Sequence, residues 1–216
     1  MSLVQAVITK DFILVGADKR GIQPDGSILE NCNKIIKLNS GIIFGCTGGI
    51  LDNFKLFSGY CYYSEELGLV NSEDIYDVSY NNFVDIISNR FQEMYKEHID
   101  ENNPRHYDIG SMICGFNGNE FEVTTFNIGG VNGAVDGIYK VTKSPDFPYK
   151  GVNAGKIIHR DVLHKMVGEF YFKYGELTIR QYKNIMLDVF EEGARIDETI
   201  NDIVCFEKIR RKDVIL

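Results

Sequence analysis

Three residues in the first quarter of the sequence have types and spacing that could support chemistry: Asp18, Lys34 and Gly48. Asp18 ends the apolar run FILVGAD, and Lys34 opens the apolar run KIIKL. A lysine that enters a buried region near a carboxylate can form a structural ion pair or act as a catalytic cation. Gly48 lies in the turn GCTGG, where glycine can serve backbone geometry alone or present N–H groups to an anion. Spacing alone leaves both interpretations open.

The runs around these positions predict strands arranged as hairpins. VQAVITK and FILVGAD are β-rich and flank the polar pair Lys10–Asp11. KIIKL and GIIFGCTGG flank Asn39–Gly41, and an Asn-Gly-Asn triplet at 117–119 separates two further runs, 109–116 and 120–128. Polar and glycine residues between β-rich runs are typical of hairpin turns. Asp18 therefore closes one predicted strand, and Lys34 opens the next.

Helices are predicted in pairs between these hairpins. Apolar residues near i, i+3, i+4 spacing and the flanking residues predict helices over 52–67, 78–98, 156–174 and 178–194. Thr178 is the predicted N-cap of the last one. The glycine-rich segment 129–155 is predicted to be irregular, and 203–215 to form one or two edge strands.

This order of elements favours a layered fold. A Rossmann fold or a barrel alternates strands and helices one at a time, whereas here helices come two at a time. The order suits two stacked antiparallel sheets with a helix pair on each outer surface, although periodicity alone predicts no more than a layered α+β domain. With no low-complexity linker or internal repeat, residues 1–216 are predicted to form a single domain.

Composition excludes several classes of protein. The net charge of -8 argues against a nucleic-acid binder, which needs a basic face. No apolar run reaches the roughly 18 residues of a membrane span. The five cysteines include no CxxC pair, so neither a disulfide framework nor a zinc site is indicated. We therefore expect a cytoplasmic protein without metal or cofactor, which binds neither nucleic acid nor membrane.

The stretch FILVGADKRG…NKIIKLNSGIIFGCTGG resembles the opening of proteasome β subunits and of bacterial HslV-type peptidases. That family shows a strand ending in Asp with a nearby Arg, a lysine that begins a strand, and a G-x-x-G-G-like turn into the first helix. The likeness covers nearly the whole chain in pattern but is specific only over 4–52. It implies the four-layer αββα sandwich of N-terminal-nucleophile hydrolases, with Ser2 as nucleophile and the family's second aspartate at Asp197.

The resemblance also implies a role for each site residue. The α-amino group of Ser2, freed by removal of Met1, would be the general base for its own hydroxyl, which attacks a peptide carbonyl. Lys34 would stabilise the developing negative charge, and Asp18 would fix the position of Lys34. The N–H of Gly48 would bind the oxyanion, and Asp197 would orient the amino terminus.

The substrate pocket implied by the resemblance is lined by Gly21, Cys46 and Gly49. Three features of the sequence depart from the family. A serine usually follows the second aspartate, where this chain offers Thr199, and no serine occurs near Gly151–Asn153, where a second supporting serine is expected. The usual nucleophile is threonine, and serine occurs in some bacterial HslV-like members.

The leading hypothesis is therefore a peptidase that acts through Ser2 and assembles into a homo-oligomeric ring or double ring. A peptide would be the substrate, and an ATP-dependent unfoldase is a candidate partner. Two alternatives stay open. The first is a catalytically silent proteasome-like scaffold, and the second is an amidase of the same superfamily that acts on a small amide.

Overall fold

Two antiparallel sheets organise this computed structural model, which describes residues 3–22, 25–72, 77–130, 134–154 and 157–214, without the side chains of 157–161, 163 and 164. The first sheet has four strands, in the order β12 (Tyr149–Ala154), β1 (Val4–Thr9), β2 (Phe12–Asp18) and β13 (Val204–Arg210). The second has five, in the order β11 (Gly137–Thr142), β10 (Phe121–Ile128), β9 (Ile109–Phe116), β6 (Ile42–Gly48) and β5 (Ile35–Asn39).

Two short hairpins and five helices complete the described structure. The hairpins pair β3 (Gly21–Ile22) with β4 (Ile28–Leu29), and β7 (Cys61–Ser64) with β8 (Gly68–Asn71). The helices are α1 (Ile50–Leu56), α2 (Tyr80–His98), α3 (Ile157–Tyr174), α4 (Ile179–Ile196) and the single turn α5 (Arg211–Val214). Within the described ranges, no helix combines the length and the apolar character that a membrane crossing requires.

Strand β1 shows how the layers stack, because it is buried on both faces. Val4, Ala6 and Ile8 pack between the two sheets, while Leu3 and Val7 point the other way into the layer under α3 and α4. Successive side chains of a strand point to opposite faces, so a strand between two cores carries apolar residues on both faces, as β1 does apart from the buried polar residues Gln5 and Thr9.

A third apolar layer lies between the five-stranded sheet and the helices α1 and α2. Phe44 of β6 packs there against Phe57, with ring centroids 4.2 Å apart, and against Phe83 of α2. The order of layers is helices, sheet, sheet, helices. The predicted α+β fold, a four-layer αββα sandwich, is confirmed.

The helix predicted over 52–67 is wrong in its second half. Helix α1 ends at Leu56, and Gly59 follows with a φ of +86°, a conformation that favours glycine and does not continue a helix. The residues Cys61–Ser64 then form β7 of a hairpin. Aromatic side chains such as Tyr62 and Tyr63 suit a strand better than the helix predicted for them.

The segment 129–155, predicted to be irregular, contains the strands β11 and β12. Both lie at the edges of their sheets. Edge strands are partly exposed and carry a weak apolar pattern, so the sequence did not predict these two strands. By contrast, the predicted N-cap at Thr178 is confirmed, because its side chain accepts a hydrogen bond from the Gln181 N–H in a capping box.

Candidate active site

The sheet topology brings the predicted site residues to one end of the sandwich. Asp18 is the last residue of β2, which is antiparallel to β1, so Asp18 lies beside the start of β1. Lys34 immediately precedes β5 and Gly48 ends β6, and these two strands are also antiparallel neighbours. The backbone N–H of Cys46, two residues before Gly48, donates to the carbonyl oxygen of Lys34 at 2.9 Å.

A buried ion pair joins the two sheets at this end. The Nζ of Lys34 lies 2.6 Å from Oδ2 of Asp18, and the side chains are 4% and 0% exposed. Two backbone N–H groups also donate to this carboxylate, that of Arg20 to Oδ2 at 3.0 Å and that of Leu3 to Oδ1 at 2.7 Å. Asp18 therefore receives three hydrogen bonds, one of them from a cation, away from solvent.

The contact with Leu3 ties the ion pair to the start of the chain. Leu3 follows Ser2 in the sequence, and Ser2 itself lies outside the described residues. Besides its N–H bond to the Asp18 side chain, the carbonyl oxygen of Leu3 accepts a 3.2 Å hydrogen bond from the Asp18 N–H. The backbone on the C-terminal side of Ser2 is thus held beside the Lys34 ammonium.

Gly48 occupies a turn that only glycine fits. Its φ is +79°, and a Cβ at this position would lie 2.7 Å from the carbonyl oxygen of Asp108. The next residue, Gly49, is the N-cap of α1, and its N–H donates to the same Asp108 oxygen at 2.7 Å. The predicted strand-to-helix turn is therefore present, and it is pinned to the start of β9.

A buried asparagine that the sequence did not single out also holds this turn. The Nδ2 of Asn53 in α1 donates to the carbonyl oxygens of Thr47, at 2.7 Å, and Gly49, at 2.8 Å. Its Oδ1 accepts a hydrogen bond from the hydroxyl of Ser111 on β9. A polar residue in the short helix after GCTGG is the only local signal, because Ser111 is 58 residues away.

The second predicted aspartate lies at the end of α4, and Arg20 contacts both Asp18 and the segment that follows Asp197. Asp197 is the C-cap of α4, is 7% exposed, and accepts a 2.7 Å hydrogen bond from the hydroxyl of Thr199. The Arg20 guanidinium donates to the carbonyl oxygen of Glu198 at 2.6 Å, while its backbone N–H binds Asp18. Thr199, the residue that this chain offers where the family has a serine, thus contacts the aspartate.

The residues predicted to line a substrate pocket have different surroundings, and of the three only Cys46 has an assigned hydrogen bond to Lys34. Gly21 begins β3, and a Cβ there would lie 3.1 Å from Sγ of Cys32. Burial raises the pKa of the Cys32 thiol, and the Lys34 ammonium opposes that rise. Cys46 is 3% exposed within the core under α1 and α2, where burial raises the pKa of its thiol. Pocket roles for Gly21, Cys46 and Gly49 stay predictions.

No group of three or more His, Cys, Asp or Glu side chains in the described part of the chain could hold a metal ion. The strand β12, where a second supporting serine was expected, has the sequence YKGVNA, and its last residue Ala154 pairs with Val4. A serine hydroxyl is therefore missing from the strand next to the start of β1.

Comparisons with known proteins agree with this fold. The family model described as "Proteasome subunit" matches residues 3–136, which is more than half of the chain. Eukaryotic HslV from Trypanosoma brucei, in its crystal structure, superposes with a TM-score of 0.58 over 97% of this chain and 99% of that chain. The two sequences are 11% identical, so this likeness concerns the fold alone. No curated protein matches the sequence. The fold of N-terminal-nucleophile hydrolases and the matching family model lead to one conclusion: the chain belongs to the proteasome subunit family.

Proposed function

We propose that this protein is an N-terminal-nucleophile hydrolase that cleaves peptide bonds through Ser2. The observation that carries the proposal is the buried Asp18–Lys34 pair, whose carboxylate also binds the N–H of Leu3, the residue after Ser2. A buried cation beside the start of the chain is the arrangement that an N-terminal nucleophile needs, because negative charge develops there during attack.

In the proposed reaction, removal of Met1 gives Ser2 a free α-amino group. The α-amine of a peptide has a pKa near 8, so a useful fraction is neutral at neutral pH and can accept the hydroxyl proton. Ser2 Oγ then attacks the peptide carbonyl carbon. The C–N bond breaks as the ammonium returns the proton to the leaving amine, and water hydrolyses the resulting ester.

Other residues would stabilise the charges of this reaction. The Lys34 ammonium, held by Asp18, favours the neutral form of the nearby amine and attracts the developing oxyanion. The N–H of Gly48 would donate to that oxyanion, a contact worth about 3 kcal/mol in other enzymes. Asp197, together with Thr199, would orient the amino terminus.

The test is covalent labelling of the native protein with a mechanism-based inhibitor of N-terminal nucleophiles, read by intact mass. We expect wild type to lack Met1 and to carry one adduct on Ser2, and Lys34→Ala to carry none. The matched control is Lys37→Ala, because Lys37 lies three residues after Lys34, in β5, and its exposed side chain donates to the Lys208 carbonyl oxygen, away from Asp18. Fully processed wild type without an adduct would contradict the proposal.

A catalytically silent scaffold is the second candidate, favoured by the absence of a serine from β12. Such a scaffold would keep the fold and the ion pair, since these also stabilise the structure, but would not react with the inhibitor. The labelling experiment therefore separates the two candidates. An inhibitor-reactive protein that cleaves a small amide and no peptide would identify the amidase alternative.

We further propose that the protein forms a homo-oligomer, a ring or double ring as in its family, and that an ATP-dependent unfoldase is a candidate partner. Large aromatic side chains are exposed at the end of α3 and in the loop between β11 and β12: Phe172 is 90% exposed, Tyr174 55% and Phe147 63%. Exposed aromatic clusters of this kind are typical of subunit contacts. Light scattering should give a mass several times 24.6 kDa, and Phe172→Ser should lower it.

We also propose that residues 1–216 form one domain of a cytoplasmic protein. The core between the sheets contains side chains from both ends of the chain, such as Val4 and Ile209, which supports one folding unit. All five cysteines are free thiols, as suits a reducing compartment. A single unfolding transition seen by both circular dichroism and aromatic fluorescence would agree with one domain.

A further inference from the structure

We infer that Asn53 is a positioning residue that holds the Gly48 N–H in the direction required to bind an oxyanion. The inference rests on the proposed function, since it assigns a task to a residue that touches neither the nucleophile nor the substrate. It goes beyond that proposal because neither the motif nor the ion pair involves Asn53.

The first step of the argument is the geometry of one peptide group. The carbonyl of Thr47 and the N–H of Gly48 belong to the same peptide, which is planar and trans, so the two groups point in opposite directions. Asn53 Nδ2 donates to the Thr47 oxygen at 2.7 Å. Fixing this carbonyl from the α1 side therefore fixes the direction of the Gly48 N–H on the other side.

The second step is that hydrogen bonds must fix the orientation of the Thr47–Gly48 peptide group. Gly48 has no side chain to pack, its φ is +79°, and another glycine follows. Glycine visits more backbone conformations than any other residue, so the orientation of a Gly-Gly turn depends on the hydrogen bonds made to it, here from Asn53 as well as the Gly49 N–H bond to Asp108. Asn53 binds on both sides of Gly48, because its Nδ2 also donates to the Gly49 carbonyl oxygen at 2.8 Å.

The third step is that Asn53 is itself locked in place. Its Oδ1 accepts from the Ser111 hydroxyl, so the amide can present its NH2 group only towards the two carbonyls. Asn53 and Ser111 are fully buried and Thr47 is 2% exposed. In the absence of water these hydrogen bonds are strong, and one at a peptide carbonyl polarises the N–H of the same peptide as a donor.

A purely structural role for Asn53 makes a different prediction. The bonds from α1 to the turn would then stabilise the fold, and their loss would lower the melting temperature without a specific effect on the transition state. The positioning role predicts a loss of transition-state binding with substrate binding retained. Separate measurements of kcat and KM, together with the affinity for a tetrahedral inhibitor, therefore distinguish the two roles.

The experiment compares Asn53→Ala with Tyr80→Phe in the protein freed of Met1. Tyr80 is a buried control on α2 whose hydroxyl contacts Glu122 and Thr124, away from the turn. With a chromogenic peptide we expect Asn53→Ala to lower kcat about 10- to 100-fold at nearly unchanged KM, somewhat less than outright removal of an oxyanion donor. Affinity for a peptide boronate should fall by a similar factor, and Tyr80→Phe should change neither.

A direct readout needs no activity. Thr47–Gly48 is the only Thr-Gly pair in the sequence. Labelling threonine with 13C at the carbonyl and glycine with 15N therefore selects a single amide resonance, that of Gly48. We expect this resonance to shift in Asn53→Ala and to stay in place in Tyr80→Phe. If Asn53→Ala does not fold, Ser111→Ala replaces it, because it frees the amide of Asn53 while keeping the donors, and a smaller change of the same sign is expected.

Unchanged kcat, unchanged boronate affinity or an unmoved Gly48 resonance in a folded variant would overturn the inference. Failure of the proposed function looks different. In that case processed wild type is itself inert towards peptide and boronate, while the Gly48 resonance still reports whether Asn53 controls this peptide group.

Discussion

Replacing Asp18 by asparagine perturbs the ion pair with almost no change in size. The carboxylate accepts hydrogen bonds from three donors, namely the Lys34 ammonium and the backbone N–H groups of Leu3 and Arg20. An asparagine has one acceptor oxygen and an NH2 group that can only donate. Whichever way the amide is turned, at least one donor faces another donor, and the Lys34 cation stays buried without an opposite charge.

The expected loss of stability follows from burial. The two side chains are 0% and 4% exposed, so solvent cannot replace the lost partner. Breaking a buried pair by removing one member typically costs about 3–5 kcal/mol. For a chain of this size, each kcal/mol lowers the melting temperature by roughly 2–4 °C. We therefore expect Asp18→Asn to melt roughly 6–20 °C below wild type.

The assay is urea unfolding of Asp18→Asn, Lys34→Met and the double variant. Because the double variant has no unpaired buried charge, it should be more stable than the sum of the single losses predicts. An exposed ion pair provides the matched control: Lys10 and Glu176 are 3.3 Å apart but 62% and 71% exposed. Lys10→Met should change the free energy of unfolding by less than about 1 kcal/mol.

Two results would refute this reasoning. If Asp18→Asn unfolds within about 1 kcal/mol of wild type, the pair behaves like a surface pair and is not desolvated. If the losses of the two single variants simply add in the double variant, the two side chains do not interact energetically.

Three further predictions concern packing, pH and helix capping. Gly115→Ala should be strongly destabilising, because its Cβ would lie 2.2 Å from Cδ2 of Tyr80. Gly168→Ala in α3, where a Cβ would meet open space, should be neutral or should stabilise the protein by up to about 1 kcal/mol. Urea unfolding compares the two variants. Burial raises the pKa of the Cys61 thiol from 9.0 to about 11, so its contribution to stability is present below pH 9 and is lost as the pH rises towards 11. Cys61→Ala should therefore flatten the alkaline decline in a pH series of thermal melts, and an unchanged decline would refute it. Thr178→Ala should cost about 1 kcal/mol by loss of the capping box, and an unchanged melting temperature would contradict that role.

The parts of the fold that the sequence predicted depend on local signals. The turn residues at Lys10–Asp11 and 117–119 predict hairpins within a few residues, and the runs on either side are rich in β-forming residues and pair as antiparallel strands. The helix α2 carries a long apolar stripe, and the cap at Thr178 has its own chemistry. Each of these signals is strong enough to predict one strand pair or helix without knowledge of the rest of the fold.

The missed parts depend on contacts that are distant in sequence. Apolar residues at 57, 60 and 61 fit a helix as well as the observed turn and strand, so only the packing of β7 decides between them. The hydrogen bonds from Asn53 to the turn at Gly48 depend on Ser111, which fixes the Asn53 amide and which no local sequence pattern connects to Asn53. A sequence motif identified Asp18, Lys34 and Gly48 as candidate site residues. The hydrogen bond from the Leu3 N–H to Asp18 is visible only in the folded structure.

The ion pair has a consequence for the order of events during maturation. Asp18 belongs to one sheet and Lys34 to the strand pair of the other, so their contact exists only after the sheets have docked. In a partly folded chain both side chains are hydrated, and the amino-terminal residue has no preorganised electrostatic environment. Under the proposed function, the ability to attack a peptide would therefore appear only once the tertiary structure is complete, and a partly folded chain would leave neighbouring proteins intact.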